Sequence, residues 1–280
     1  MRAGLRARAG GAWRRAPLLA ALIALAVPAS MAAGRSADSR RLPTSPHVVA
    51  AQAGTRPSAA AHGTRSPGRG IPGPAPAAAA PSGRLVAVLR PGHTVAVRSG
   101  PGGRVVARMA VTQFGSRVTF PVLARHGRWA GVPVAALGNG RLGWIDARWA
   151  GLAWQRTRKT IVIDLARRRL ELRSGSRTLL AARVGIGARG TPTPRGRYAI
   201  TDKLSGPAYN AAYGCCILAL SGHQTNLPAG WRGGNRLAIH GTNAPAAIGA
   251  AATTGCLHAT EAVLRALMRR VPLGTPVIVR

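Results

Sequence analysis

Two residues near the C-terminus have the types and spacing of an acyl-transfer pair. The apolar run Leu237-Ala238-Ile239 leads straight into His240, Gly241 and Thr242 follow, and sixteen residues after His240 the turn Thr253-Thr254-Gly255 leads into Cys256. A thiol becomes an acyl-transfer nucleophile when a base takes its proton and hydrogen-bond donors await the oxyanion. His240 supplies a base, and the backbone amides of Gly255 and Cys256 are candidate oxyanion donors. A free thiol ionises near pH ~8.5, so such a site needs a device that lowers that value. Three are within reach: His240 itself, the N-terminus of a helix expected to begin at Glu261, and Arg-rich surroundings. The carbonyl of Gly241 is placed to hold one imidazole nitrogen and fix the tautomer. No Asp or Glu lies between Lys203 and Thr260, which speaks against a local Cys-His-Asp arrangement. Taken singly, each residue also fits an interior role: Cys256 as a small hydrophobe, His240 as a hydrogen-bonded core residue.

The elements that must position this pair are mostly strands. Segments 160–165, 169–172, 179–184 and 198–201 read as strands, with Gly185-Ile186-Gly187 and the proline-stiffened loop Thr191-Pro192-Thr193-Pro194-Arg195-Gly196 between them. One helix is expected at Glu261–Arg270. Thr260 caps it, Glu261 complements its dipole, and Val263, Leu264, Leu267, Met268 and Val271 share one face. Pro272 and Gly274 end it, and Pro276–Val279 closes the sheet. The Ala-rich stretch 243–252, with Pro245 early in it, reads as a short helix or lid. Further upstream, 84–150 breaks into short β-rich runs punctuated by Gly and Pro at roughly 8–12-residue intervals, the signal of a small all-β barrel or sandwich.

The first residues address the compartment. Arg2, Arg6, Arg8, Arg14 and Arg15 precede the apolar stretch 16–29 and the small-residue exit Ser30-Met31-Ala32-Ala33, the parts of a secretory signal. That places the protein outside the cytoplasmic membrane, in the cell wall or periplasmic space. An uncleaved anchor is the alternative, although a spanning helix needs about 20 apolar residues. Segment 34–83 is Ala, Pro, Ser, Gly and Arg with almost no large apolar side chain, and reads as a disordered linker.

The formal charge of +34 is spread along the chain. There are 11 Arg against one acid over 1–83, 11 against one over 84–157, and 18 Lys or Arg against four acids over 158–280. So even a spread argues against a nucleic-acid stripe. Anionic wall polymers or lipid surfaces suit the compartment better as partners. The cysteines number three, Cys215, Cys216 and Cys256. Neighbouring cysteines rarely bridge because the ring is strained, so Cys215 and Cys216 are expected as small buried side chains. No His, Cys and carboxylate cluster calls for a metal, and no cofactor is implied.

From 158 to 280 the chain resembles the L,D-transpeptidase catalytic domain family. The resemblance rests on His240-Gly241-Thr242, on Thr253-Thr254-Gly255-Cys256, and on the upstream Val162-Ile163-Asp164, Gly185-Ile186-Gly187 and 191–196 segments in the family's order. It implies a mainly β, sandwich-type catalytic domain with one C-terminal helix. It also implies peptidoglycan stem peptides as substrate, Cys256 as nucleophile, His240 as general base and acid, Gly241 as its orienting carbonyl and Gly255 as an oxyanion amide. Thr242, Thr253 and His258 would contact substrate. Two positions depart from the family pattern: Thr254 stands where His or Asn is usual, and His258 where Arg or Asn is usual. The segment 84–150, with Arg128-Trp129-Ala130-Gly131-Val132 and Arg141-Leu142-Gly143-Trp144-Ile145, resembles bacterial SH3-like wall-associated modules; Trp129 and Trp144 suit either packing or ligand contact. The expected organisation is therefore a signal at 1–33, a linker at 34–83, an SH3-like β-barrel at 84–150 and the catalytic domain at 158–280. The expected activity is 3→3 cross-linking through a cysteine thioester with release of D-Ala. The alternatives are an L,D-carboxypeptidase or a non-catalytic wall-binding protein.

Overall fold

The computed structural model describes residues 82–232 and 234–280. The expected signal and nearly all of the expected linker lie outside the described residues. Two hydrophobic cores organise what remains.

The first part is built from β1 (Arg84–Leu89), β2 (Val95–Arg98), β3 (Val105–Met109), β4 (Thr119–Pro121), β5 (Ala124–His126), β6 (Trp129–Pro133), β7 (Leu142–Asp146) and β8 (Leu152–Thr157). Alternation decides the faces. In β2, Val95 and Val97 are buried while Ala96 and Arg98 are less so, the pattern of a sheet with one wet face. Strands β3-β2-β7-β6-β5 form one sheet and β4-β1-β8 another. Val97, Val118, Ala130, Val132 and Ile145 fill the space enclosed, with no measurable exposure. Strand β8 lies beyond the expected end of this part at residue 150. It returns antiparallel along the whole of β1, from Arg84↔Thr157 to Leu89↔Leu152. Gln155 and Arg156 are exposed, so its sequence carries little apolar signal.

The second part comprises β9 (Lys159–Asp164), β10 (Arg169–Ser174), β11 (Arg177–Arg183), β12 (Ile186–Gly187), β13 (Gly196–Ser205), β14 (Cys216–His223), β15 (Arg236–His240), β16 (Ala251–Thr253), β17 (Leu257–His258), α1 (Glu261–Arg270) and β18 (Pro276–Val279). Among the described residues α1 is the only α-helix, and the fold is mainly β. The main sheet runs β11-β10-β9-β18-β13-β14-β15-β17, with a small β12-β16 pair beside it. Its long strand β13 pairs β18 through residues 196–199 and β14 from Ile200 onward, and the register slips between Ile200 and Asp202. A bulge bends a strand and increases its twist, so one strand serves both halves of a curled sheet. Helix α1 begins where expected: Thr260 accepts from the Val263 amide, and Leu264 and Leu267 are buried beneath it. The 243–252 stretch holds a 3-10 turn at Pro245–Ala247 and then enters β16.

Two findings differ from the sequence reading. Segment 216–223, unassigned in sequence, is the buried strand β14, an apolar run with no alternation because both faces are covered. Cys215 and Cys216, expected to sit as separate side chains, are joined in a disulfide. The chain accommodates the tight ring at a sharp turn, where Gly214 adopts φ +65° just before it.

Polar contacts join the two parts. Asn139 Nδ2 donates to the His223 carbonyl at 2.7 Å, and its Oδ1 accepts from the His223 amide at 2.9 Å. Thr112 donates to the fully buried Asp202. Arg236 Nη2 donates to Gln113 Oε1 at 2.8 Å, and its guanidinium lies 5.9 Å from the Phe114 ring centroid. Replacing Asn139 by Ala strands both His223 backbone groups, so we expect a loss of about 1–3 kcal/mol in urea unfolding. An unchanged unfolding midpoint would show that this pair does not hold the join.

Candidate active site

The pairing of strands brings the two expected segments side by side. Strand β15 ends at His240, and β17 runs parallel beside it with His240 opposite His258, two residues past Cys256. Between β16 and β17 the chain turns through Thr253-Thr254-Gly255-Cys256. Every carbonyl of this turn is held by a side-chain donor. Thr191 Oγ1 donates to Thr253 O at 2.9 Å, Gln224 Nε2 to Thr254 O at 3.0 Å, Thr193 Oγ1 to Gly255 O at 2.8 Å, and Thr253 Oγ1 to Cys256 O at 2.6 Å. Gly255 is required in this turn. Its φ is +110°, and a Cβ there would stand 2.0 Å from Gln224 Nε2.

His240 is 6 % exposed, and its Nδ1 lies 2.7 Å from the Gly241 carbonyl oxygen. A carbonyl only accepts, so Nδ1 carries the proton and Nε2 keeps a free lone pair. Gly241 is itself fixed. Its amide donates to Tyr213 O at 2.7 Å, and a Cβ at 241 would meet the same oxygen at 2.7 Å. The Tyr213 ring stands edge-on to the imidazole, 4.7 Å between centroids, and the His258 ring lies at 4.7 Å and tilted. The half-buried Cys256 has its Sγ 3.8 Å from the Arg236 carbonyl, to which the thiol donates.

The electrostatics reverse the expectation of a lowered thiol pKa. Burial pushes the Cys256 thiol up to about 11, opposed by the Ala238 amide. Burial also lowers His240 to about 3, with His258 adding to it and the Gly241 hydrogen bond opposing. Enclosure penalises both charged forms, so at neutral pH the thiol and the imidazole both rest uncharged. The end of helix α1 offers little counter-field. Thr260 caps it, and Glu261 Oε1 accepts from the Cys215 amide at 2.7 Å.

The other expected site residues fall into different places. The Gly255 amide, expected to face an oxyanion, donates instead to Thr253 Oγ1 at 3.0 Å. The Cys256 amide makes no hydrogen bond among the described residues. Thr253, expected at the substrate, is buried with its hydroxyl committed inside the turn. Thr242 Oγ1 accepts from the Ala244 amide at 3.0 Å and steadies the exit from β15. Half-buried His258 faces His240, and burial lowers its pKa. Three residues at the site were not singled out in sequence: Tyr213, Thr193 and Gln224. Thr193 lay in plain view between two prolines; Tyr213 and Gln224 reach the site only through strand pairing.

Two outcomes are expected from the neutral pair. Alkylation of Cys256 in the free protein should keep accelerating above pH 9 toward about 11; a plateau near neutrality would show a thiolate at rest. His240 is held below its ordinary value of 6.5. Its contribution to stability is therefore complete above pH ~6.5 and is lost as pH falls toward about 3. Urea unfolding across that range should show a flatter acid limb in His240→Gln than in wild type.

Comparison with known proteins bears on this arrangement. Residues 158–279 match the family described as YkuD, the L,D-transpeptidase catalytic domain. No curated protein matches the chain. Among solved structures, Bd1075 of Bdellovibrio bacteriovorus is 22 % identical, with 44 % of this chain and 48 % of that one covered and a TM-score of 0.35. An L,D-transpeptidase of Stackebrandtia nassauensis is 17 % identical, with 45 % and 57 % covered and a TM-score of 0.33. An Enterococcus faecium L,D-transpeptidase C442S mutant is 17 % identical, with 61 % and 73 % covered and a TM-score of 0.34. The chain thus spans about half the length of the first two. The family match is the finding that bears on function: residues 158–279, with His240 and Cys256 inside them, match the YkuD model of L,D-transpeptidase catalytic domains.

Proposed function

We propose that the protein is a peptidoglycan L,D-transpeptidase acting outside the cytoplasmic membrane, forming 3→3 cross-links through a thioester on Cys256. The observation that carries this reading is the His240 tautomer. With Nδ1–H given to the Gly241 carbonyl, Nε2 is the one imidazole atom free to take a proton. Because thiol and imidazole are both neutral at rest, proton transfer accompanies attack on the substrate carbonyl. Sγ bonds to the carbonyl carbon after the third stem residue, its proton passes to His240 Nε2, and the oxygen becomes an oxyanion facing the Cys256 amide. The C–N bond to D-Ala then breaks, and the departing amine takes the proton from His240. A side-chain amine of a second stem attacks the thioester, gives its proton to His240, and expels Sγ, which recovers the thiol.

His258 and Thr242, which are partly exposed at the same strand ends, are assigned to stem-peptide contact. The first part of the chain is assigned as an SH3-like module that approaches the wall. Asp146, Asp164, Glu171 and Glu261 are already paired with Arg128, Arg167, Arg169 and Arg173, and Arg265. Much of the Arg surface is therefore uncompensated, which supports contact with anionic wall polymers.

Mass spectrometry after incubation with a disaccharide-tetrapeptide, with and without an acceptor amine, tests the reaction. A Cys256 adduct lacking D-Ala, resolved by the amine to a cross-linked product, is the expected result. Resolution by water alone would make the protein an L,D-carboxypeptidase, and no adduct would leave a wall-binding protein. Cys256→Ser should abolish the adduct. His240→Ala should slow acylation roughly 10²–10⁴-fold, the usual worth of a positioned base.

A further inference from the structure

We propose that Thr193 is a positioning residue for the nucleophile turn, aiming the Cys256 amide at the oxyanion, with Gln224 as its second point of support. The inference rests on the thioester reading above. A trans peptide fixes the carbonyl and the following N–H in nearly opposite directions. Whatever holds the Gly255 carbonyl therefore aims the Cys256 N–H. That holder is Thr193 Oγ1, which donates to Gly255 O at 2.8 Å while accepting from the Gly187 amide at 2.9 Å. Its hydroxyl proton is committed to that carbonyl, and the residue is 4 % exposed, so it faces the protein and not a ligand. Pro192 and Pro194 flank it. Proline fixes its own φ and confines the residue before it to extended backbone. The side chain is thus delivered by a stiff loop, and little entropy is lost in holding it.

Gln224 secures the neighbouring peptide. It is 4 % exposed, and its Nε2 donates to Thr254 O, Pro192 O and Thr191 O at 3.0, 3.0 and 3.1 Å. Its Oε1 accepts from the Asn226 amide at 2.9 Å. One amide group thereby joins the proline loop, the nucleophile turn and the end of β14. The turn cannot rotate about its own bonds without breaking both clamps.

The test separates aim from thiol reactivity. Acylation of Cys256 by a carbapenem passes through an oxyanion; alkylation by iodoacetamide does not. Both consume the same Cys256 sulfur and displace its proton, so a change that merely exposed or hid the thiol would move the two rates together. In the full chain, Thr193→Val should lower the acylation rate roughly ten- to hundredfold, short of the roughly 10²–10³ lost when an oxyanion donor is removed, and leave the alkylation rate near wild type. Thr193→Ser, which keeps the hydroxyl, should restore the ratio. Should Thr193→Val fail to fold, Gln224→Met is read in the same way and should shift the ratio in the same direction. Acylation and alkylation falling together, or neither falling, would overturn the inference while leaving the thioester reading intact. Failure of the wild type to acylate under conditions in which it alkylates would overturn both.

Discussion

A peptide unit cannot turn its carbonyl one way without turning its amide the other, and the nucleophile turn is organised around that constraint. Four consecutive carbonyls, from Thr253 to Cys256, are drawn toward side-chain donors. The donors come from three distant stretches of chain: the proline loop at Thr191 and Thr193, the end of β14 at Gln224, and the turn itself at Thr253. Strand order explains why they converge. β12 carries the chain into the proline loop beside β16, β14 runs antiparallel to β15, and β15 places His240 beside His258. The main sheet is in this sense a frame for one turn. Its Gly255 holds φ +110°, which other residues rarely adopt, and a Cβ there would push Gln224 out of its clamp.

The same enclosure sets the electrostatics. A site that shields thiol and imidazole from water cannot stabilise their charged forms in advance, and both titrations move away from neutrality. Among the described residues no carboxylate hydrogen-bonds the imidazole. The Gly241 carbonyl is a neutral orienter that selects a tautomer without strongly raising basicity. In the proposed reaction, charge separation is created during attack and met by the Cys256 amide, with no thiolate stored at rest.

Much of this was legible in the sequence, for reasons that differ by element. Helix α1 was bounded to the residue because Thr260, Glu261 and the apolar face are local signals. His240 and Cys256 could be singled out because their neighbours, Gly241 and Gly255, mark sharp turns that a core residue does not need. The strand β14 was hidden by its uniform burial, and β8 by its polarity. The committed Gly255 amide and the inward Thr253 hydroxyl depend on which way a peptide faces, which spacing does not encode. Neither does the enclosure that raises the thiol pKa, since it is produced by elements far apart in the chain. The Cys215–Cys216 bridge ran against a sound general rule that only the local turn at Gly214 sets aside.

Arg236 links the two halves of the molecule in a way that reaches Cys256. Its side chain is held by Gln113 and Phe114 of the first part, while its backbone carbonyl receives the Cys256 thiol. Burial lowers its pKa, with Asp202 pulling the other way, and Asp202 in turn accepts from Thr112. The first part is therefore not a passenger that recombination could exchange for any wall-seeking module. A substitute lacking Thr112, Gln113 and Phe114 would leave half-buried Arg236, at the start of the strand that ends in His240, and buried Asp202 in β13 without these partners. A graft onto residues 158–280 would have to bring its own partners for Arg236 and Asp202.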